Sequence, residues 1–213
     1  NTTCLGPKYR QVTAPLQSPF WDGKACLKGK RVMALCEQGA GDLLQFARYC
    51  RELSRLGAEV HLLAPPFMED LCATLPWAKA VHTRYQQIPP HDYHVSVMSL
   101  PFLLGLTPET IRWPGKYLHS PYPAVRHDDR FTVGLAWAGD ASNPYDHWRS
   151  MPFPALLPFV RAFPEVAFVS LQAGARGQEA ARWVQRGLVK DGAATCQTFG
   201  QTAAAMDGVD LVI

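Results

Sequence analysis

The chain has 213 residues, 47% of them hydrophobic and 18% charged, with a formal net charge of +3. That is enough apolar material for one large core or two modest ones. Charges of both signs are interspersed with no run of five alike, which speaks against a nucleic-acid partner. No apolar run approaches the ~20 residues of a membrane-spanning helix.

Residues 1–29 carry prolines and glycines without sustained periodicity and read as a lead-in arm. From Arg31 the pattern alternates. An apolar strand, RVMALCE, leads to a helix expected over Asp42–Leu56, closed by Gly57 in the usual C-terminal glycine position. The strand EVHLLA (59–64) runs into Pro65-Pro66, which stop the strand and start a helix through Leu75. Short strands follow near AVHTR (80–84) and YHVSVM (93–98). Strands alternating with helices predict a parallel sheet wound on both sides.

Residues 107–130 break the alternation with four prolines and the polar run RHDDR, the composition of a surface linker. A second series then starts: strand FTVGLAWAG (131–139), helix FPALLPFVRAF (153–163), strand VAFVSLQ (166–172), helix QEAARWVQRG (178–187), the segment TAAAMDG and a final strand DLVI (210–213). The expected organisation is therefore an arm (1–29) and two α/β, Rossmann-like parallel-sheet domains, 30–119 and 120–213. The last strand has nothing after it, so the second domain is expected to stop in mid-course. Asn1 with no signal-peptide pattern likewise suggests a piece of a longer protein.

Six cysteines (Cys4, Cys26, Cys36, Cys50, Cys72, Cys196) match no zinc or redox spacing and read as reduced thiols of a cytoplasmic protein. The seven histidines are scattered; His91 and His94 flank Asp92 without forming a helical ligand pair, and no metal site is expected.

Two clusters carry candidate chemistry. In CEQGAGDLLQFARYC (36–50), Leu43, Phe46, Ala47, Cys50 and Leu53 make one apolar stripe. Gln45, Arg48, Glu52 and Arg55 make a polar one, with Arg48 and Glu52 spaced for an i,i+4 pair. Gln38 and Asp42 fall at the carboxyl edge of the first strand, where open α/β sheets bind ligands. Asp42 is equally explained as an acid at the positive end of a helix. Gly39 and Gly41 lack the third glycine of GxGxxG, so a dinucleotide-binding dehydrogenase is not supported.

The second cluster is WAGDASNPYDHWRS (137–150). Arg149 and Ser150 fall at an expected helix start, where an anion is favoured, and a guanidinium fork suits phosphate. An Arg149–Asp146 pair on a surface loop is the competing reading. Gln172 and Gly174 end a further strand on the same rim.

The ordered set EQGAGDLLQFARY, SLP (99–101), VGLAWAG, Asp146-x-x-Arg149-Ser150, SLQ and TAAAMDGVDLVI resembles the glycosyltransferase domain that follows tetratricopeptide repeats in many bacterial proteins. That domain is similar to the lipopolysaccharide heptosyltransferases and, more distantly, to the O-GlcNAc transferases. The resemblance runs from about Phe20 to Ile213. It implies a GT-B fold whose two domains face a cleft, the second holding a nucleotide-sugar donor and the first most of the acceptor. It also implies that Asp42 is the catalytic base of an inverting, metal-independent transfer, with Gln38, Gly39, Gly41 and Gln45 on the acceptor side. Gly139, Asp146, Arg149, Ser150 and Gln172 would bind the donor. No cofactor is implied; the acceptor would be a glycan, a lipid-linked glycan or a protein.

The family's donor-phosphate segment after DLVI is missing here, so weak donor binding is expected. Self-association through the uncovered last strand, or poor solubility, is expected with it. Two other readings remain open: an inactive GT-B-like binding module, and a GT-B-type sugar-nucleotide epimerase.

Overall fold

The computed structural model describes residues 13–111 and 115–213. Cys4, the first twelve residues of the arm, and residues 112–114 of the proline-rich crossover lie outside that range. The chain divides after His119 into two compact units, each with its own four-stranded, all-parallel sheet.

In the first unit the strands are β1 (Arg31–Leu35), β2 (Glu59–Leu63), β3 (Ala80–His82) and β4 (Tyr93–Ser96), in the order β3-β2-β1-β4. In register, Arg31 faces Glu59 on one side of β1, and Val32 faces Tyr93 on the other. Central β1 is buried on both faces: Val32, Met33, Ala34 and Leu35 have no exposed surface. This is why it reads as an unbroken apolar run rather than an alternating one.

The predicted helix after β1 is interrupted. Ala40–Phe46 (α1) and Cys50–Arg55 (α2) are α-helical, with a 3₁₀ turn at Ala47–Tyr49 between them. The apolar stripe survives, with Leu43, Ala47, Cys50 and Leu53 all buried. The expected Arg48–Glu52 pair does not. The tighter turn shifts the phase toward i,i+3 neighbours. Glu52 instead binds Arg55, within α2, at 3.0 Å, while Arg48 donates to the Gln45 carbonyl and lies over the Tyr117 ring. Gly57 (φ 86°) closes α2, and the Ala58 amide bonds back to the Leu53 carbonyl.

After β2 the helical segment is only a 3₁₀ turn, Pro66–Met68, and the short helix α3 (Glu69–Cys72). A short helix α4 (Leu100–Leu103) follows β4. The described part of the arm is no loose lead-in. Phe20 bridges His94 of β4 in parallel, and Trp21 and Leu27 are each 2% exposed. Across β2 and β3, His61 Nδ1 meets His82 Nε2 at 2.8 Å, and His61 Nε2 meets Glu59 Oε1 at 3.0 Å.

The second unit repeats the plan. Its strands β5 (Thr132–Leu135), β6 (Ala167–Ser170), β7 (Lys190–Asp191) and β8 (Leu211–Val212) lie in the order β7-β6-β5-β8. One face of the sheet packs Val133, Leu135 and Phe168 with Phe153 and Val160; the other packs Val169 and Leu171 with Ala205. Val160 belongs to helix α5 (Leu157–Ala162) and Ala205 to helix α7 (Phe199–Asp207), so both faces are covered. Thr198 and Gln201 cap α7 reciprocally. The expected helix at 178–187 is a 3₁₀ segment, Ala175–Ala180, leading into α6 (Ala181–Gln185). The crossover is tied to this unit: Val125 N donates to the Ala204 carbonyl, and Asp128 pairs with Arg130 and Lys190.

Candidate functional site

The two sheets share one topological consequence. In each, the chain runs from the central strand to its neighbour and on to one edge, then crosses back to the far side of the central strand. The reversal falls between β1 and β4 in the first unit, and between β5 and β8 in the second. The loops after β1 and β5 therefore open at the switch points where such sheets bind ligands. They are the loops that carry Gly39 and Gly139.

At the first switch point, Gln38 and Gly39 are exposed. Asp42 Oδ2 accepts the Gly39 amide at 3.0 Å, so its carboxylate satisfies an orphan donor at the start of α1. Gly41 and Gln45 are exposed further along, and the Gln45 side chain takes no part in the loop's hydrogen bonds.

A second acid stands beside Asp42. Glu37, two residues past the end of β1, accepts a hydrogen bond from the hydroxyl of Ser96, the last residue of β4. Its other oxygen, Oε2, is buried without a partner. Burial raises the affinity of Glu37 for a proton; the Ser96 bond opposes that shift and the Asp42 charge adds to it. Burial likewise pushes the neighbouring Cys36 thiol up to about 11.

The second switch point gathers every predicted donor-side residue into one network, though with different duties. Gln172 Oε1 accepts the amides of Trp137 and Ala138 at 3.0 and 2.8 Å. Ser150 Oγ accepts the Gly139 amide at 2.9 Å and donates to Asp146 Oδ1 at 2.6 Å. These amides, which a bare loop would offer to an anion, are already satisfied by side chains.

Gly139 does permit a close approach, but by Arg149. A β-carbon there would sit 2.5 Å from the guanidinium. Asp146 is 6% exposed and holds two arginines, Arg149 at 3.6 Å and Arg176 at 3.0 Å. The bond from Ser150, then Arg176 and Arg149, keep its carboxyl below the usual aspartate range against the opposing effect of burial. Arg176 also binds Glu179 at 3.0 Å, and Glu179 caps the Phe153 amide.

Arg149 and Ser150 are not at a helix start. The helical turn begins at Phe153, after Pro152 in extended conformation, and its first free amide belongs to Glu179. What reaches solvent is the Arg149 side chain, 51% exposed; in the same loop the rings of Tyr145 and Trp148 stack.

Among the described residues, no group of three or more His, Cys, Asp or Glu side chains is placed to hold a metal ion. No described helix is long and apolar enough to cross a membrane. Compared with protein-family models, with curated proteins and with solved structures, the chain matches none of them.

Glu37, Ser96, Arg176 and Glu179 are the site residues that the sequence pattern did not single out. Glu37 looks like a strand residue until β4 is known to lie beside β1. Arg176 and Glu179, three apart just past Gly174 (φ 71°), did carry a signal as an i,i+3 pair opening a helical segment.

Proposed function

We propose that the chain is part of a glycosyltransferase that moves a sugar from a nucleotide-sugar donor to an acceptor hydroxyl. The observation that supports this reading is the arginine pair held by Asp146 at the second switch point. Two guanidinium groups anchored to one buried carboxylate form a preorganised receiver for charge on a departing diphosphate, the role a transfer without a metal assigns to the protein. In this reading the second unit takes the donor, and the carboxylates of the loop after β1 serve the acceptor hydroxyl as base.

A binding module without turnover is the second reading. It is favoured by the satisfied amides of Trp137, Ala138 and Gly139, which leave side chains rather than backbone to contact an anion.

Calorimetry with uridine, guanosine and adenosine diphosphates, beside the parent nucleosides, tests the donor site. Weak binding that requires the diphosphate is expected, falling roughly tenfold or more in Arg149→Ala, as loss of a charge-assisted bond implies. Equal affinity for nucleoside and diphosphate overturns the donor reading. Release of nucleoside diphosphate from a panel of nucleotide sugars then separates a transferase from a module.

A further inference from the structure

We infer that Glu37, rather than Asp42, is the group that takes the proton from the acceptor hydroxyl; this rests on the transfer reading above. The two carboxylates share one loop and are differently engaged. Asp42 accepts the Gly39 amide and serves the end of α1. Glu37 is held from one side only: Ser96, on the neighbouring strand, binds Oε1, and Oε2 has no donor. Glu37 forms no ion pair among the described residues. The ionisable group acting on it is Asp42, and Glu37 in turn raises the proton affinity of the Cys36 thiol.

A buried carboxylate oxygen without a donor is costly to leave so. A proton on the carboxyl removes the buried charge, and a hydrogen bond from an arriving hydroxyl satisfies the oxygen; these are the two states of a general base. The position fits as well. Glu37, two residues past β1, and Ser96, the last residue of β4, meet beside the switch point, and the exposed Gln38–Gly39 turn follows directly. The raised proton affinity of Glu37 suits a base working near neutral pH.

In the step itself the O–H bond of the acceptor breaks and its proton passes to Oε2. The oxygen's electron pair forms the glycosidic bond, and the bond from the sugar to the diphosphate breaks with its pair left on the phosphate oxygen.

The test compares Glu37→Gln with Asp42→Asn, reading nucleoside diphosphate release with water as the acceptor, and follows the carboxyl carbon of Glu37 by NMR as pH is varied. Glu37→Gln should slow release by about 10²–10⁴-fold, Asp42→Asn far less. The Glu37 resonance should titrate above the ordinary glutamate range. Full release by Glu37→Gln, or the reverse ranking of the two variants, overturns the inference. If no sugar nucleotide is turned over, the transfer reading fails by itself. The NMR midpoint then decides whether Glu37 is a poised base, and an ordinary midpoint overturns that.

Discussion

The two units have the same strand order and put a glycine loop at the same switch point, yet they treat their acids in opposite ways. In the first, Glu37 is half-buried with one oxygen unpartnered, and its proton affinity is raised. In the second, Asp146 is more deeply buried by area but is bound by Ser150, Arg176 and Arg149, and its proton affinity is lowered. Topology fixes where a carboxylate can stand. The donors around it decide whether it holds a proton.

The largest expected effect breaks the second half of the comparison outright. Phe153 is fully buried, with the rings of Trp137 and Trp183 at 4.8 and 5.2 Å. Phe153→Ala should cost about 3–5 kcal/mol, read by urea denaturation, with faster amide exchange concentrated in β5 and β6. An unchanged midpoint would mean that the second sheet is not organised around this ring.

The opposite proton affinities sharpen the comparison through their pH dependence. Asp146, with its folded pKa lowered, contributes stability that is present above the unfolded value of ~3.9 and is lost as pH falls through the folded value. Asp146→Asn should therefore melt several degrees below the parent at pH 7, with the gap closing in acid. Glu37 has the reverse sign. With its folded pKa raised, stability falls as pH rises from the unfolded value of ~4.3 through the folded one. Glu37→Gln should match the parent in acid and equal or exceed its melting temperature at pH 7. Thermal melts of both variants from pH 3 to pH 8 check the two slopes together; slopes of the same sign would break the contrast.

Gly139→Ala is expected to have the smallest effect on stability. The nearest atoms to the new methyl group are those of the Arg149 guanidinium, the end of a flexible side chain that can swing aside. The melting temperature should hold within a degree or two, while diphosphate binding weakens as in Arg149→Ala. Unchanged binding would show that the position of the guanidinium over Gly139 does not matter to the ligand.

Much of the fold was legible because parallel strands buried on both faces leave continuous apolar runs, as in Val32–Leu35 and Ala167–Ser170. The two-residue β7 was not, since Lys190 and Asp191 are exposed and too few to show a period. The predicted site residues cluster near the two switch points, but spacing carries no strand order. Without the knowledge that β4 flanks β1, nothing marks Glu37 as buried against Ser96. Gly139 was expected to bind the donor, and nothing in the spacing shows that the Arg149 guanidinium lies over it. Arg149 and Ser150 were expected at the start of a helix led by Met151 and Pro152, and the turn begins one residue after Pro152.

The histidine contact between β2 and β3 fixes more than a distance. Glu59 is an ion-pair partner of Arg31 and offers His61 only an acceptor, so the hydrogen of the neutral His61 ring lies on Nε2. Its Nδ1 is then a bare lone pair, and the 2.8 Å contact requires the His82 hydrogen to lie on Nε2 as well. Both rings are thereby committed to one tautomer by a glutamate that touches only the first. A further proton can join His82 at its other nitrogen and leave the contact intact.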